Sequence, residues 1–335
     1  MSGTLLDVED LSVHYPMRRG PLQALTGRAR RVVRAVDGVS FGLGRGEMVA
    51  VVGESGCGKS TTAQAICGMA APTTGTVRLD GAEITGLSQR RLRPVRRRVQ
   101  MIYQDPYESL DPLFRVRRTL EEPMLIHGIG GSRAGRAALA EEALERSGLS
   151  PARAFLDRYP HELSGGQRQR VSIAAALVLE PDVLLADEPV SMLDVSVRAG
   201  VLSLLDTLRR TRDLGILMIT HDLSTAAHFA DRIIVMYLGR IVEQGPARDV
   251  VRAPLHPYTK ALLSAVPERD PRKRTAPQVL KGETPDPVDI PSGCRFRPRC
   301  PVAGDVCAGT DPSLRPDAGG AGGATAGHQA ACLLV

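Results

Sequence analysis

The run Gly53-Glu54-Ser55-Gly56-Cys57-Gly58-Lys59-Ser60 constrains this chain more than any other feature. It fills every fixed position of the phosphate-loop pattern, which works only between a strand and a helix. The glycines let the backbone curl until successive N–H groups face one anion. The helix that follows turns its positive end toward the same anion. Lys59 then reaches the outer phosphates, Ser60 gives a hydroxyl to Mg²⁺, and Thr61 meets the α-phosphate. The context agrees: residues 47–52 are an apolar run ending at Gly53, and residues 60–69 have helical composition. The expectation is an α/β fold.

The rest of the chain supplies the strands and helices such a fold needs. Residues 5–15 alternate as a strand, through Leu6, Val8, Leu11, Val13 and Tyr15. Residues 16–31 form an Arg- and Gly-rich loop, and 36–43 resume strand character. Residues 76–79 read as a strand closed by the turn Asp80-Gly81. From 123 to 179 the pattern is mostly helical; the helix at 137–147 is stopped by Gly148. Residues 183–186 and 216–220 read as buried parallel strands separated by a helix at 197–209. Residues 233–236 and 240–243 form a closing hairpin around Leu238-Gly239. Beyond Pro254 prolines and cysteines become frequent and periodicity fades; 318–326 is a Gly/Ala tract expected to be flexible.

A second acidic element complements the loop. Val183-Leu184-Leu185-Ala186-Asp187-Glu188 carries two acids to the C-terminal end of an apolar strand, where open parallel sheets bind ligands. Asp187 is placed to hold Mg²⁺ through water, and Glu188 to polarise an attacking water as general base.

The third element, Leu163-Ser164-Gly165-Gly166-Gln167, decides the family. With it the sequence resembles an ATP-binding-cassette (ABC) ATPase. In that family this signature opens a helix and binds the γ-phosphate of an ATP held by the opposing subunit; Ser hydroxyl, Gly N–H groups and helix dipole do the binding. The resemblance implies further roles by position. Gln104, in Tyr103-Gln104-Asp105-Pro106, matches the glutamine that touches Mg²⁺ and faces the transmembrane partner. Ser191-Met192-Leu193-Asp194 matches the loop that crosses the dimer interface, with Met192 in place of the more usual Ala. His221 matches the switch histidine on the γ-phosphate, and Tyr15 the aromatic that stacks on adenine. The implied fold is a RecA-like P-loop NTPase core with a small antiparallel β subdomain and an inserted helical subdomain at about 105–180. The cassette runs over 1–253 and a Cys-containing C-terminal extension over 254–335.

The resemblance narrows within the family. The loop above, Gln104 to Tyr107, and His256-Pro257-Tyr258-Thr259-Lys260-Ala261-Leu262 look like the oligopeptide/dipeptide importer branch. The Cys57 loop and residues 32–41 favour the second, "F"-type ATPase of that branch. The resemblance implies a heterodimer with a second ABC ATPase, two transmembrane permeases, and an extracellular substrate-binding protein. Nickel and some glycans use the same architecture. Cys294, Cys300, Cys307 and Cys332 close the chain; four thiols in a cytosolic tail suggest a metal centre more than disulfides. Their spacing is not that of a zinc ribbon. It is compatible with a four-Cys [4Fe–4S] cluster, which some members of this branch carry, with zinc or free thiols as alternatives.

Composition trims the rivals. No apolar run approaches the ~18 residues of a membrane span, and the first ten residues lack a signal core. The chain is therefore expected at the cytoplasmic face of the membrane, held there by partners. Aromatics are 3% with no Trp, which argues against stacking on single-stranded nucleic acid. The net charge of +6 sits largely in arginines near 28–34 and 90–98, read as solvated faces. ABC ATPases acting on DNA or ribosomes usually carry two cassettes or a long coiled coil. This chain has one phosphate loop, one signature and no long heptad run, so no nucleic-acid partner is expected. A third reading, an iron–sulfur redox module with a secondary cassette, sits poorly with the complete set of ATP residues.

Overall fold

The computed structural model describes residues 4–17, 31–266, 278, 280–316 and 327–334. Most of the Arg/Gly loop at 16–31 and the Gly/Ala tract lie outside the described residues. The strands in chain order are β1 Thr4–Pro16, β2 Val32–Gly44, β3 Met48–Val52, β4 Thr74–Leu79, β5 Ala82–Glu83, β6 Val99–Ile102, β7 Val183–Asp187, β8 Gly215–Thr220, β9 Arg232–Tyr237, β10 Arg240–Pro246, β11 Arg315–Pro316 and β12 Gln329–Ala330. The chain forms two compact units. One comprises Leu79–Ile219 with Leu43–Met48 and the start of the chain; the other comprises Asp7–Gly42, Val49–Arg78 and everything from Thr220 onward.

The first unit is built on β6, β7 and β8, all parallel, with β7 in the middle. Every residue of β7 and β8 is buried, which is why both read as unbroken apolar runs. The helix Val195–Arg212 provides the crossover between them. A separate helical core packs Val116, Leu120 and Met124 against Ala140, Ala143, Leu144, Val171, Ala174 and Val178. Their spacing of three and four residues puts them on one face of the helices Val116–His127, Arg133–Arg146 and Gly165–Leu177. Each fully buried Leu or Val there contributes roughly 1.5–3 kcal/mol. The arginine run expected only as a solvated face folds into the helix Gln89–Arg98, with Leu92 buried and its last turn basic. That basic end suits the negative C-terminus of a helix.

In the second unit the strand order is β11-β12-β10-β9-β3. β3 pairs with β9 in parallel, Val49 opposite Arg232, and β9 turns back into β10 antiparallel. Leu238 and Gly239 make that turn, both at positive φ, as a tight two-residue hairpin requires. The segment past 253, where periodicity faded, is not shapeless. It forms the helix Pro257–Ser264, and β12 adds to the sheet beside β10, with Ala330 opposite Glu243. The sequence signal was weak because β12 is two residues long and its pairing spans over eighty residues. Tyr237, Tyr258 and Phe296 are fully buried, with ring centroids 4.8 to 5.4 Å apart. This aromatic cluster joins the end of β9, the helix and the extension.

Candidate functional site

The phosphate loop lies in the second unit, between β3 and the helix Lys59–Ile66. Gly53 has φ +155 and Gly58 φ +107. A Cβ at Gly53 would meet the Met236 carbonyl oxygen at 2.3 Å, and one at Gly58 the Ala35 carbonyl oxygen at 2.2 Å. Both glycines are thus demanded by backbone approach as well as by φ. Ser55 and Gly56 form the exposed crest of the curl. Inside it, Lys59 is buried and donates from Nζ to the carbonyls of Gly53 at 2.8 Å and Glu54 at 2.9 Å. Cys57 is buried too, and burial pushes its thiol pKa up, so it is a packing residue and not a thiolate. No side chain caps the helix at Gly58. Its opening N–H groups therefore suit an anion, and the donor set fits a nucleotide's phosphates. Thr61 follows Ser60 in the first turn of that helix.

The loop is braced by residues to which the sequence alone assigns no role at the nucleotide. The Glu54 amide donates to the Tyr258 hydroxyl at 2.9 Å, and Arg299 grips the Glu54 carboxylate at 2.7 and 3.2 Å. Burial pushes that carboxyl up, but the bonds from Arg299 and Thr284 and the charge of Lys59 more than offset it, holding it below the usual range. Arg295 likewise donates to Asp37 and to the Leu238 carbonyl. The one available signal was that Arg295 and Arg299 lie between cysteines in a segment otherwise poor in core residues. Tyr15 sits in β1, 44% exposed, as a stacking residue needs, and His221 is exposed directly after β8.

The first unit holds the other candidates. Asp187 ends β7 and is buried; Glu188 follows at φ +44, an unusual conformation for a residue other than glycine. The Glu188 amide donates to the Ile219 carbonyl at 2.9 Å, and Gln104 Nε2 donates to Glu188 Oε2 at 3.1 Å. The structure therefore brings Gln104 and Glu188 together, side chain to side chain. Ser164 caps the helix Gly165–Leu177: its Oγ accepts from the Gln167 amide at 3.3 Å, and Gln167 Oε1 accepts from the Ser164 amide at 3.0 Å. The Ser164 side chain is exposed. Gly166 allows the next helix to approach; a Cβ there would meet a Val197 methyl at 2.4 Å. Asp194 caps that helix, Val195–Arg212, accepting from the Val197 amide at 3.0 Å. This bond is the main cause of its lowered carboxyl pKa.

The four tail thiols belong to the second unit. Cys307 and Cys332 are buried, Cys294 and Cys300 half-buried. The Cys294 amide donates to the Cys307 carbonyl at 2.9 Å, and the Ala331 amide donates to Val242, which anchors the segment bearing Cys332. Burial raises the thiol pKa values of Cys294 and Cys300, and the neighbouring Cys307 and Cys332 raise them further. Among the described residues, however, no three His, Cys, Asp or Glu side chains converge so as to hold a metal ion.

Comparison with known proteins follows the same lines. The family model "ABC transporter" matches residues 36–191, and "Oligopeptide/dipeptide transporter, C-terminal region" matches 242–307. A putative peptide import ATP-binding protein of Brucella ovis is 46% identical over 98% of this chain and 97% of its own length. The oligopeptide transport ATP-binding protein AppF of Bacillus subtilis is 44% identical over 99% of this chain and 97% of its own. Among solved structures, the ATP-binding cassette MJ0796 bound to ADP and Pi superposes with a TM-score of 0.64 at 29% identity, covering 72% of this chain and 99% of that one.

Proposed function

The chain belongs to the ABC transporter family of ATP-binding subunits, and from that premise we propose that it powers the import of di- or oligopeptides across the cytoplasmic membrane. ATP hydrolysis coupled to transport is the activity of such a cassette. The observation that carries the peptide reading is the peptide-transporter C-terminal region at 242–307, on a chain related to peptide import subunits over nearly its whole length.

We assign the residues as follows. The loop from Gly53 to Thr61 binds the phosphates, with Ser60, Gln104 and Asp187 to hold Mg²⁺. Bound Mg²⁺ would neutralise charge building up on the γ-phosphate. Glu188 takes the proton of the attacking water, and the Gln104 hydrogen bond orients its carboxylate. His221 contacts the γ-phosphate and Tyr15 the adenine. The Ser164 hydroxyl accepts from its own helix and so keeps its proton to donate outward, to the γ-phosphate of an ATP held by a second cassette. The partners are that second ATPase, two permeases and an extracellular binding protein. Among the described residues no helix is long and apolar enough to cross a membrane, so the chain would be held at the cytoplasmic face by the permeases. Tyr107 and Leu113, 59% and 81% exposed and three and nine residues past Gln104, offer apolar surface for that contact. The cassette ends near 253 and the extension fills 254–335. For Cys294, Cys300, Cys307 and Cys332 the reading is a [4Fe–4S] centre, on their number and on a spacing compatible with a four-Cys cluster.

The decisive test is reconstitution in vesicles with two permeases, a second ATPase and the substrate-binding protein. ATP-dependent uptake of labelled di- and oligopeptides is expected. Uptake of nickel or glycans alone would replace peptide as the cargo.

A further inference from the structure

The extension reaches the phosphate loop at Glu54. Arg299 Nη1 lies 2.7 Å from Glu54 Oε2, and Nη2 lies 3.2 Å from Oε1. Thr284 Oγ1 donates to the same Oε2 at 2.5 Å and accepts from Arg299 at 3.0 Å. The Tyr258 hydroxyl accepts the Glu54 amide. Both ends of the carboxylate, and the backbone that carries it, are therefore held by residues beyond 253. Arg299 is itself fixed: its side chain is 9% exposed and its guanidinium lies 6.0 Å from the centre of the Tyr237 ring. On the other side, the Glu54 carbonyl accepts from the Lys59 ammonium.

This arrangement has an electrostatic consequence. The phosphate-loop pattern leaves position 54 free, so nothing in it asks for an acid. An uncompensated carboxylate in the loop would repel the polyanion the loop binds. The paired, partly buried carboxylate does not, because its charge is already neutralised. We propose that Arg299 is a positioning residue for nucleotide binding: it neutralises Glu54 and fixes the backbone carbonyl that orients Lys59, so the extension sets the loop's affinity for phosphates. This rests on the reading that the loop binds Mg·ATP.

The prediction is a charge-stranding pattern that a merely structural contact would not give. The probe is Mg·ADP, titrated by calorimetry into the full-length chain. Arg299→Ala leaves Glu54 unpaired and is expected to weaken binding about tenfold, a plausible size for one stranded, half-buried charge. Glu54→Gln changes it by less than about threefold, and the double variant recovers to within about threefold of the wild type, because no charge is left to strand. In the assembled transporter Arg299→Ala raises KM for ATP and leaves kcat within about twofold. If Arg299→Ala fails to fold, Arg299→Gln, which fills more of the space, keeps a hydrogen-bond donor and removes the charge, carries the same comparison. Lys59→Ala is the control for the site. If Lys59→Ala weakens Mg·ADP while Arg299→Ala binds as the wild type does, the coupling is wrong and the site stands. A double variant as weak as Arg299→Ala also overturns it. A wild-type chain with no affinity for Mg·ADP overturns both this proposal and the reading beneath it.

Discussion

At the scale of residues, Glu188 carries the sharpest expectation. Its carboxylate is held by Gln104 and its backbone turns at positive φ just past the buried β7. Glu188→Gln keeps the shape and removes the base. Mg·ATP binding by the assembled complex is expected to persist while turnover falls at least about 100-fold. Phosphate release and nucleotide trapping measure the two separately; turnover near the wild-type rate would take the base role away from Glu188. The sequence made this residue legible because it stands next to Asp187 at the end of an apolar run. Gln104, eighty-four residues away, was legible only through family resemblance, and the structure places it on Glu188. Arg299 and Tyr258 were legible only as members of family-like runs, not as partners of the loop. Their partner, Glu54, is a free position of its motif, and an ion pair across 245 residues leaves no periodic trace.

At the scale of elements, caps decided what the sequence revealed. Ser164 and Asp194 were chosen as site residues, and each proves to be the N-cap of a helix. Local hydrogen bonding and motif chemistry share the same residue types, so both signals coincide. The helix Pro257–Ser264 was missed as an element, although His256, whose Nδ1 accepts from the Tyr258 amide at 3.1 Å, is its cap. That cap titrates. Burial, with Lys260 adding to it and Glu243 opposing it, brings the His256 pKa from 6.5 down to about 4. The folded imidazole is neutral where the unfolded one begins to take up a proton. Stability is therefore flat above pH 6.5 and falls as pH drops toward 4, by up to about 3 kcal/mol. His256→Asn keeps a capping oxygen and removes the titration. Denaturation midpoints between pH 7.5 and 4.5 are expected to drop less steeply in the variant than in the wild type. Parallel curves would show that another group carries the acid sensitivity.

At the scale of the whole molecule, the tail and the assembly are decided by what the chain lacks on its own. Past the helix Pro257–Ser264, few apolar side chains among the described residues are buried beyond Phe296 and the segment around Ala330, so a metal centre would contribute folding energy that burial supplies poorly there. Protein purified without oxygen is expected to be brown with about four irons per chain, and removing the iron is expected to lower the melting temperature. Colourless protein with neither iron nor zinc, and four tail thiols open to alkylation, would leave them as free cysteines. The assembly is argued from Ser164. Its hydroxyl oxygen is occupied by its own helix, while the side chain remains exposed and the first turn of that helix is half-buried. A helix start of this kind suits an anion. If that anion is the γ-phosphate of an ATP on another cassette, the isolated chain is expected to hydrolyse ATP poorly, with a specific activity that rises with its concentration. Ser164→Arg puts a long cation where the phosphate must lie and disrupts the capping box. In the assembled transporter it is expected to silence the site whose phosphate loop belongs to the other ATPase, while nucleotide binding at this chain's own loop persists. Selective nucleotide trapping at each of the two loops reads the difference. Loss confined to this chain's own loop, or brisk hydrolysis by a monomer at any dilution, would mean that the signature serves its own subunit, and the heterodimer would no longer be needed to explain it.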